Sequence, residues 1–360
     1  MATISLCMIV KNEEKVLARC LESVKNAVDE IIIVDTGSND KTKEIALKYT
    51  DKVFDFEWID DFSAARNFAF SKGKMDFLMW LDADDVVSQE NCAKLIELKE
   101  KLTGTDVVMM KYNTAFDENG NPIFSYYRER IVRRSLPHQW KGPVHEVIEC
   151  KGISLYSDIA IHHKSVKTKY STRNLEIYEK QAKNGEKMQP RDLFYYGREL
   201  YYHKKYEKAI EILSSFLADK NGWIENKIEA CKVLSLVRSD MGDIDRALEN
   251  LFNSFKYDTP RAEICCAIGD LFMKQGAYDK AIYWFELALT LPMDESKGGF
   301  IDLDAYGYLP CIQLCVCYDK LKNYMKAKEY NDRAGTFRPK SKAYLHNLKY
   351  FDSLHTNGIL

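Results

Sequence analysis

No apolar run in this sequence approaches the ~20 residues that a helix needs to cross a bilayer. The earliest run, residues 4–10, is stopped at once by Lys11, Asn12, Glu13 and Glu14. An excess of one charge is also lacking: 52 Lys and Arg against 54 Asp and Glu leave −2 at pH 7, which gives no electrostatic footprint for nucleic acid or an anionic membrane. Disordered or collagenous bias is absent, since 46% hydrophobic and 29% charged residues describe an ordinary globular chain. The ten cysteines follow no disulfide framework, which with the missing span points to a cytoplasmic protein. The first strand-to-helix turn, residues 11–14, has no glycine cluster, and this excludes the pyrophosphate-cradling dinucleotide fingerprint.

What is present divides into two halves, and 360 residues allow two or three cores. Residues 1–112 alternate short apolar strands with helical patterns, the mark of a mostly parallel sheet covered by helices. Strands are predicted at 4–10, 30–34, 53–56, 77–81 and 107–112. Asn12 reads as the N-cap of a first helix whose buried stripe is Val16, Leu17, Cys20, Leu21 and Val24. Phe62, Ala65, Ala69 and Phe70 form the apolar side of another, on which Arg66 and Asn67 are the polar exceptions. Turn residues 117–120 precede two further strands, at 123–127 and 130–133, so the sheet is expected to be mixed.

The strand at 77–81 is apolar throughout, as suits burial on both faces, and it stops at Asp82, Asp84 and Asp85. Ligands of open α/β sheets bind at this carboxyl edge. In an extended tail Asp82 and Asp84 would converge while Ala83 faces away, and two such oxygens suit Mg²⁺ or Mn²⁺ shared with a nucleotide diphosphate. A polar turn is the plainer alternative. Asp35, ending the second strand, is placed either to take ribose hydroxyls or to cap the turn that follows.

Four segments in order, Met8-Ile-Val-Lys-Asn-Glu13, Asp29-Glu-Ile-Ile-Ile-Val-Asp-Thr-Gly-Ser38, Ala65-Arg-Asn67 and Trp80-Leu-Asp-Ala-Asp-Asp85, resemble glycosyltransferase family 2. The likeness covers most of residues 1–165. It implies a GT-A fold, inversion at the anomeric carbon and a divalent metal at Asp84 with help from Asp82. It also implies a nucleotide-sugar donor, expected to be UDP-glucose or UDP-N-acetylglucosamine. Donor contacts are implied at Val10, Asn12, Glu13, Asp35, Arg66, Asn67, Asp82 and Ala83.

A second constellation lies at residues 128–163: Arg128, Arg130, Arg133 and Arg134, then Trp140 to Glu146, then His162 and His163. The stretch Gly142-Pro-Val-His-Glu146 resembles a motif of some family 2 enzymes. Inverting transfer needs a carboxylate to take the acceptor proton while cations offset the departing diphosphate. Glu146 is the candidate base, with Asp85 next in line. His145 or His162 is the candidate third metal ligand, and Arg133 or Arg134 the candidate phosphate contact. Solvated strand arginines and a surface His–Glu pair are the plainer readings. Trp140 is expected to pack, with a sugar platform as the alternative.

Residues 166–189 read as a connecting helix with a stripe at Leu175, Tyr178 and Gln181. From Pro190 the strand signals vanish. Tyr206 to Ala209, Ile244 to Ala247, Tyr278 to Ala281 and Tyr324 to Ala327 repeat one pattern, with Gly197, Ser235, Gly269 and Cys315 at one fixed offset before each alanine. This resembles the tetratricopeptide repeat, about four copies over residues 190–352, followed by a tail at 353–360. Cys231, Cys265 and Cys311 share one helical position and Cys315 takes the small-residue site, so packing accounts for them better than a zinc site of Cys311, Cys315 and Cys317 does. Residues 294–306 read as an inserted loop.

The expected layout is therefore an α/β GT-A domain at 1–165 and an all-α repeat domain. It resembles peptide glycosyltransferases that modify bacteriocins, which implies a peptide or protein acceptor held by the repeats. Exposed aromatics such as Tyr201, Tyr202 and Trp223 suggest a homodimer. Synthesis of surface polysaccharide or lipid-linked glycan, a catalytically dead nucleotide-binding scaffold, and nucleotidyl transfer are the competing functions.

Overall fold

The computed structural model describes residues 1–166 and 171–357. Two compact units divide the chain: Met1–Thr114 with Tyr126–Lys187, and Ala115–Ser125 with Met188–Leu360. Strands β1 (Ile4–Val10), β2 (Glu30–Asp35), β3 (Val53–Asp55), β4 (Phe77–Met79), β5 (Asp85–Val87), β6 (Val107–Phe116), β7 (Pro122–Arg133) and β10 (Ser154–His163) form one sheet. Its order is β3-β2-β1-β4-β7-β6-β10-β5. The left side is parallel, β7 runs antiparallel to β4, and β5 antiparallel to β10, so the sheet is mixed as expected. β8 (Gln139–Lys141) and β9 (Val147–Glu149) make a separate hairpin.

Both sheet faces are buried because β1 and β4 are apolar on both sides. Ile4, Leu6, Met8, Phe77 and Met79 pack with Leu17, Cys20, Leu21 and Val24 of α1 (Leu17–Val24). Cys7, Ile32, Val34, Leu78 and Trp80 pack on the other face, with Ala69, Phe70 and Trp140. The remaining helices of this unit are α2 (Thr42–Ala46), α3 (Phe62–Lys72), α4 (Gln89–Leu98) and α5 (Arg173–Lys183).

Two local expectations change. Helix α1 starts at Leu17, and Asn12 is no N-cap: it takes φ 56° and ties two loops together, its N–H donating to Ser38 Oγ at 2.9 Å and its Oδ1 accepting from Asn39 N at 2.8 Å. Strand β4 ends at Met79, because the chain turns at the carboxylates, where Asp85 N donates to Asp82 O at 3.0 Å and Asp85 already belongs to β5.

The second unit holds α6 (Pro190–Tyr202), α7 (Tyr206–Ala218), α8 (Ile224–Asp240), α9 (Ile244–Asn253), α10 (Ala262–Lys274), α11 (Tyr278–Ala288), α12 (Tyr308–Lys320), α13 (Tyr324–Phe337) and α14 (Lys342–Thr356). The first eight make four helix pairs, closed by α14. Each repeat alanine, 209, 247, 281 and 327, is fully buried. The small residue opposite is required by close approach: a Cβ on Gly269 would lie 2.7 Å from the Phe285 ring. The ten cysteines are free thiols, those of the repeats being buried.

Residues 294–306 are more than a loop. Strand β11 (Ile301–Asp302) pairs antiparallel with Phe124 and Ser125 of β7, and Phe300 stacks on Phe124. The expected tail is helical to Thr356, and residues 358–360 lie outside the described set. The expected connecting helix is α5, within the first unit; residues 167–170 before it are also outside the described set. Among the described residues no helix is long and apolar enough to cross a membrane.

Candidate active site

The turn that ends β4 is organised by Asp85, which is fully buried. Its Oδ2 accepts from Arg130 Nη1 at 3.1 Å and from Asp82 N at 3.0 Å, and its Oδ1 accepts from Tyr112 OH at 3.0 Å. A carboxylate so bonded positions its neighbours. The antiparallel register sets His163 opposite Asp85. Its Nδ1 lies 3.3 Å from Asp84 Oδ1, 3.4 Å from Asp85 Oδ1 and 2.9 Å from Tyr112 OH.

Asp84, Asp85 and His163 bring one ligand atom each within 4.8 Å of one another. Burial raises the Asp84 carboxyl, and Asp82 and Asp85 add to this against the pull of His163. Burial works against charge on His163, but hydrogen bonding to Asp85 and the adjacent carboxylates raise its pKa. Mixed oxygen and nitrogen donors around crowded negative charge fit a divalent cation. The imidazole in this cluster is that of His163. His145 lies in the loop between β8 and β9 with φ 51°, and His162 pairs with Val86, its pKa lowered by burial and by Lys164.

Asp82, expected to converge with Asp84, turns to Arg66 instead, because the two sit in a turn and not in an extended tail. Arg66 projects from α3, whose start is fixed by Asp61 accepting from Ala64 N at 3.0 Å. Its Nη2 donates to Asp82 Oδ1 at 2.7 Å and its Nε to Glu146 Oε1 at 2.5 Å. The guanidinium carbon lies 4.8 Å from the ring centres of both Trp80 and Trp140, so two indoles hold it in plane. Arg66 is 6% exposed, and its Nη1 is buried without a hydrogen-bond partner. Burial would raise the Asp82 carboxyl, yet Arg66 and Arg130 outweigh it and hold it at about 2.

Arg128 and Arg130, the alternate residues of β7, complete this side. Arg128 Nη2 donates to the Glu146 carbonyl at 3.2 Å, and Arg130 stacks over Trp80 at 3.8 Å and Tyr112 at 4.2 Å. Arg133 is elsewhere: it faces Phe77 at the opposite end of β4 and donates to Asp106 Oδ1 at 2.8 Å and Thr105 O at 2.6 Å. It holds two chain segments together and does not reach the carboxylates. Arg134 is spent likewise on Met75 O at 2.7 Å. Asn67 uses both ends of its amide on the main chain of Trp140, at 3.0 and 2.9 Å, so it fixes that strand. Trp140 itself packs edge-on against Trp80 and Phe70.

Asp35 is both cap and candidate contact. Its Oδ1 accepts from Gly37 N at 2.9 Å and Ser38 N at 2.8 Å, while Oδ2 is buried without a partner. Val10 pairs with it across β1 and β2, and Glu13 N donates to Thr42 Oγ1 at 2.7 Å, so both shape the edge that Asp35 ends. Ala83 is 5% exposed and belongs to the core.

Residues 5–159 match the model of glycosyl transferase family 2. The N-terminal domain is similar to this family over nearly its whole length. Among its relatives, a TPR repeat-containing protein of Synechococcus elongatus is 28% identical over 333 residues, 91% of this chain and 76% of that protein. The SPbeta prophage-derived glycosyltransferase SunS of Bacillus subtilis is 30% identical over 268 residues, 69% of this chain and 62% of SunS. One relative is thus named for its repeats and the other as a glycosyltransferase, and the mixed sheet agrees with the α/β expectation for the first domain.

Proposed function

We propose that the family 2 domain transfers a sugar, with inversion, from a nucleotide-diphosphate donor to a peptide or protein acceptor, and that the helical repeats hold that acceptor. The observation carrying this reading is the single guanidinium of Arg66 shared by Glu146 and Asp82 beside the Asp84, Asp85 and His163 cluster. Asp35 Oδ2 would accept from the nucleoside, and Arg66 Nη1 would donate to a donor oxygen. Glu146 would take the proton of the acceptor as its oxygen or sulfur bonds to the anomeric carbon and the bond to the diphosphate breaks. Held by Asp84 with His163, and with Asp85 adjoining, a Mg²⁺ or Mn²⁺ ion would offset charge on the departing diphosphate. Stacked helix pairs suit an extended chain better than a small sugar, which supports a polypeptide acceptor. The test is incubation with UDP-glucose, UDP-N-acetylglucosamine and Mn²⁺ in the presence of a peptide pool. Release of UDP supports the reading, release of the sugar 1-phosphate would mean nucleotidyl transfer, and neither product would leave a binding protein.

A further inference from the structure

Glu146 sits in a short loop whose backbone is unusual: His145 before it holds φ 51°, a left-handed value that a non-glycine residue keeps only where its surroundings impose it. Part of those surroundings comes from outside the family match, which ends at residue 159. Tyr178 of α5 is fully buried, and its hydroxyl donates to the carbonyl of Val144 at 3.3 Å. From the other side Phe62 N donates to Pro143 O at 2.9 Å. Helix α5 also grips the segment that leads into α3. Lys180 Nζ pairs with Asp60 Oδ2 at 2.6 Å, and the Arg173 guanidinium lies 4.5 Å from the centre of the Phe62 ring. Asp60, too, holds a left-handed φ of 61°.

The same helix therefore fixes the approach to α3, which carries Arg66, and the loop that carries Glu146. Those two side chains meet at 2.5 Å, a contact that a small slip of either support would break. We propose that α5 is a working part of the active site and that Tyr178 is a positioning residue for Glu146. The inference rests on the reading of Glu146 as base. Tyr178 touches no reacting atom; it sets the Val144 carbonyl and, through it, the direction in which the Glu146 carboxylate points.

Water can replace the acceptor in slow donor hydrolysis, so the full-length protein with UDP-glucose, UDP-N-acetylglucosamine and Mn²⁺ gives an assay without the native acceptor. Tyr178→Phe keeps the ring and removes the hydroxyl. Its kcat for UDP release should fall about tenfold, while the affinity for UDP with Mn²⁺, read by calorimetry, stays within about twofold. In the Glu146→Gln background the same substitution should change nothing further, since the group it positions is gone. Lys180→Met, which loosens α5 from the surface side, should lower kcat in the same direction with unchanged UDP affinity. Wild-type turnover in Tyr178→Phe would overturn the proposal, as would an undiminished effect in the Glu146→Gln background or a parallel loss of UDP affinity. Absence of UDP release by the wild-type protein is a different result: it sinks the glycosyltransferase reading, and this inference with it.

Discussion

Arg66 Nε and Glu146 Oε1 lie 2.5 Å apart, and both side chains are about nine-tenths buried. The second nitrogen of the same guanidinium holds Asp82 at 2.7 Å. A planar cation with fixed donor directions sets the spacing of the two carboxylates, which a flexible ammonium could not.

Arg66→Leu should destabilise the protein strongly, because it leaves the Glu146 carboxylate buried without its cation. Removing one partner of a buried pair costs about 3–5 kcal/mol. Urea denaturation should show the loss as a lower midpoint with an unchanged slope. A shift below about 1 kcal/mol would mean that water reaches Glu146 and that the clamp is weak.

Asp84→Asn should remove donor turnover on the order of a thousandfold, several kcal/mol of barrier, because it neutralises an anionic ligand of the candidate metal cluster. His163→Ala should lower it less and raise the Mn²⁺ concentration needed. Full turnover in excess EDTA would contradict both expectations.

The architecture was legible because burial on both faces writes itself as unbroken apolar strands, and because tight helix pairs demand small residues at fixed offsets. Arg66, Asp35 and Asp84 stand out in the sequence as polar exceptions on an apolar helix or after an apolar strand, and Glu146 through the resemblance of its Gly142-Pro-Val-His-Glu146 stretch to a family motif. Which cation and which imidazole lie beside the carboxylates depends on register. Arg133 and Arg128 lie on the same strand, and only the antiparallel pairing of β7 with β4, opposing Phe77 to Arg133, shows which end each occupies. His145, His162 and His163 are likewise indistinguishable until β10 pairs with β5 and sets His163 against Asp85. Nothing local announces that the Asn67 amide satisfies the backbone of Trp140, distant in sequence.

In the repeats, burial pushes Asp270 up to about 6, with Lys274 opposing and Asp302 adding. Between the unfolded carboxyl range near pH 4 and pH 6 the folded state binds more protons than the unfolded one, so this group lowers stability as pH rises through that window. The penalty is complete above pH 6. Asp270→Asn, which retains an oxygen for the Gln313 amide now at 3.3 Å, should therefore raise the unfolding midpoint at pH 8 and have little effect at pH 4. The same shift at both pH values would assign the effect to packing.

Gly269→Ala tests the repeat packing. Helix propensity alone favours alanine by about 1 kcal/mol. The Cβ would meet the Phe285 ring at 2.7 Å, however, and overpacking of this kind costs about 1–3 kcal/mol. Net destabilisation is expected in thermal unfolding, and a stabilised variant would show that the α10 and α11 pair can part without cost.

The central claim is that Glu146 acts on the acceptor while the nucleotide is held elsewhere. The most direct measurement is kcat for UDP release by Glu146→Gln, set against its calorimetric affinity for UDP with Mn²⁺. A neutral amide keeps an oxygen for Arg66 but cannot take a proton. The account predicts a fall in kcat of a hundredfold or more, on the scale of general-base catalysis, with UDP affinity nearly unchanged. Wild-type kcat in this variant, or a loss confined to UDP affinity, would contradict it.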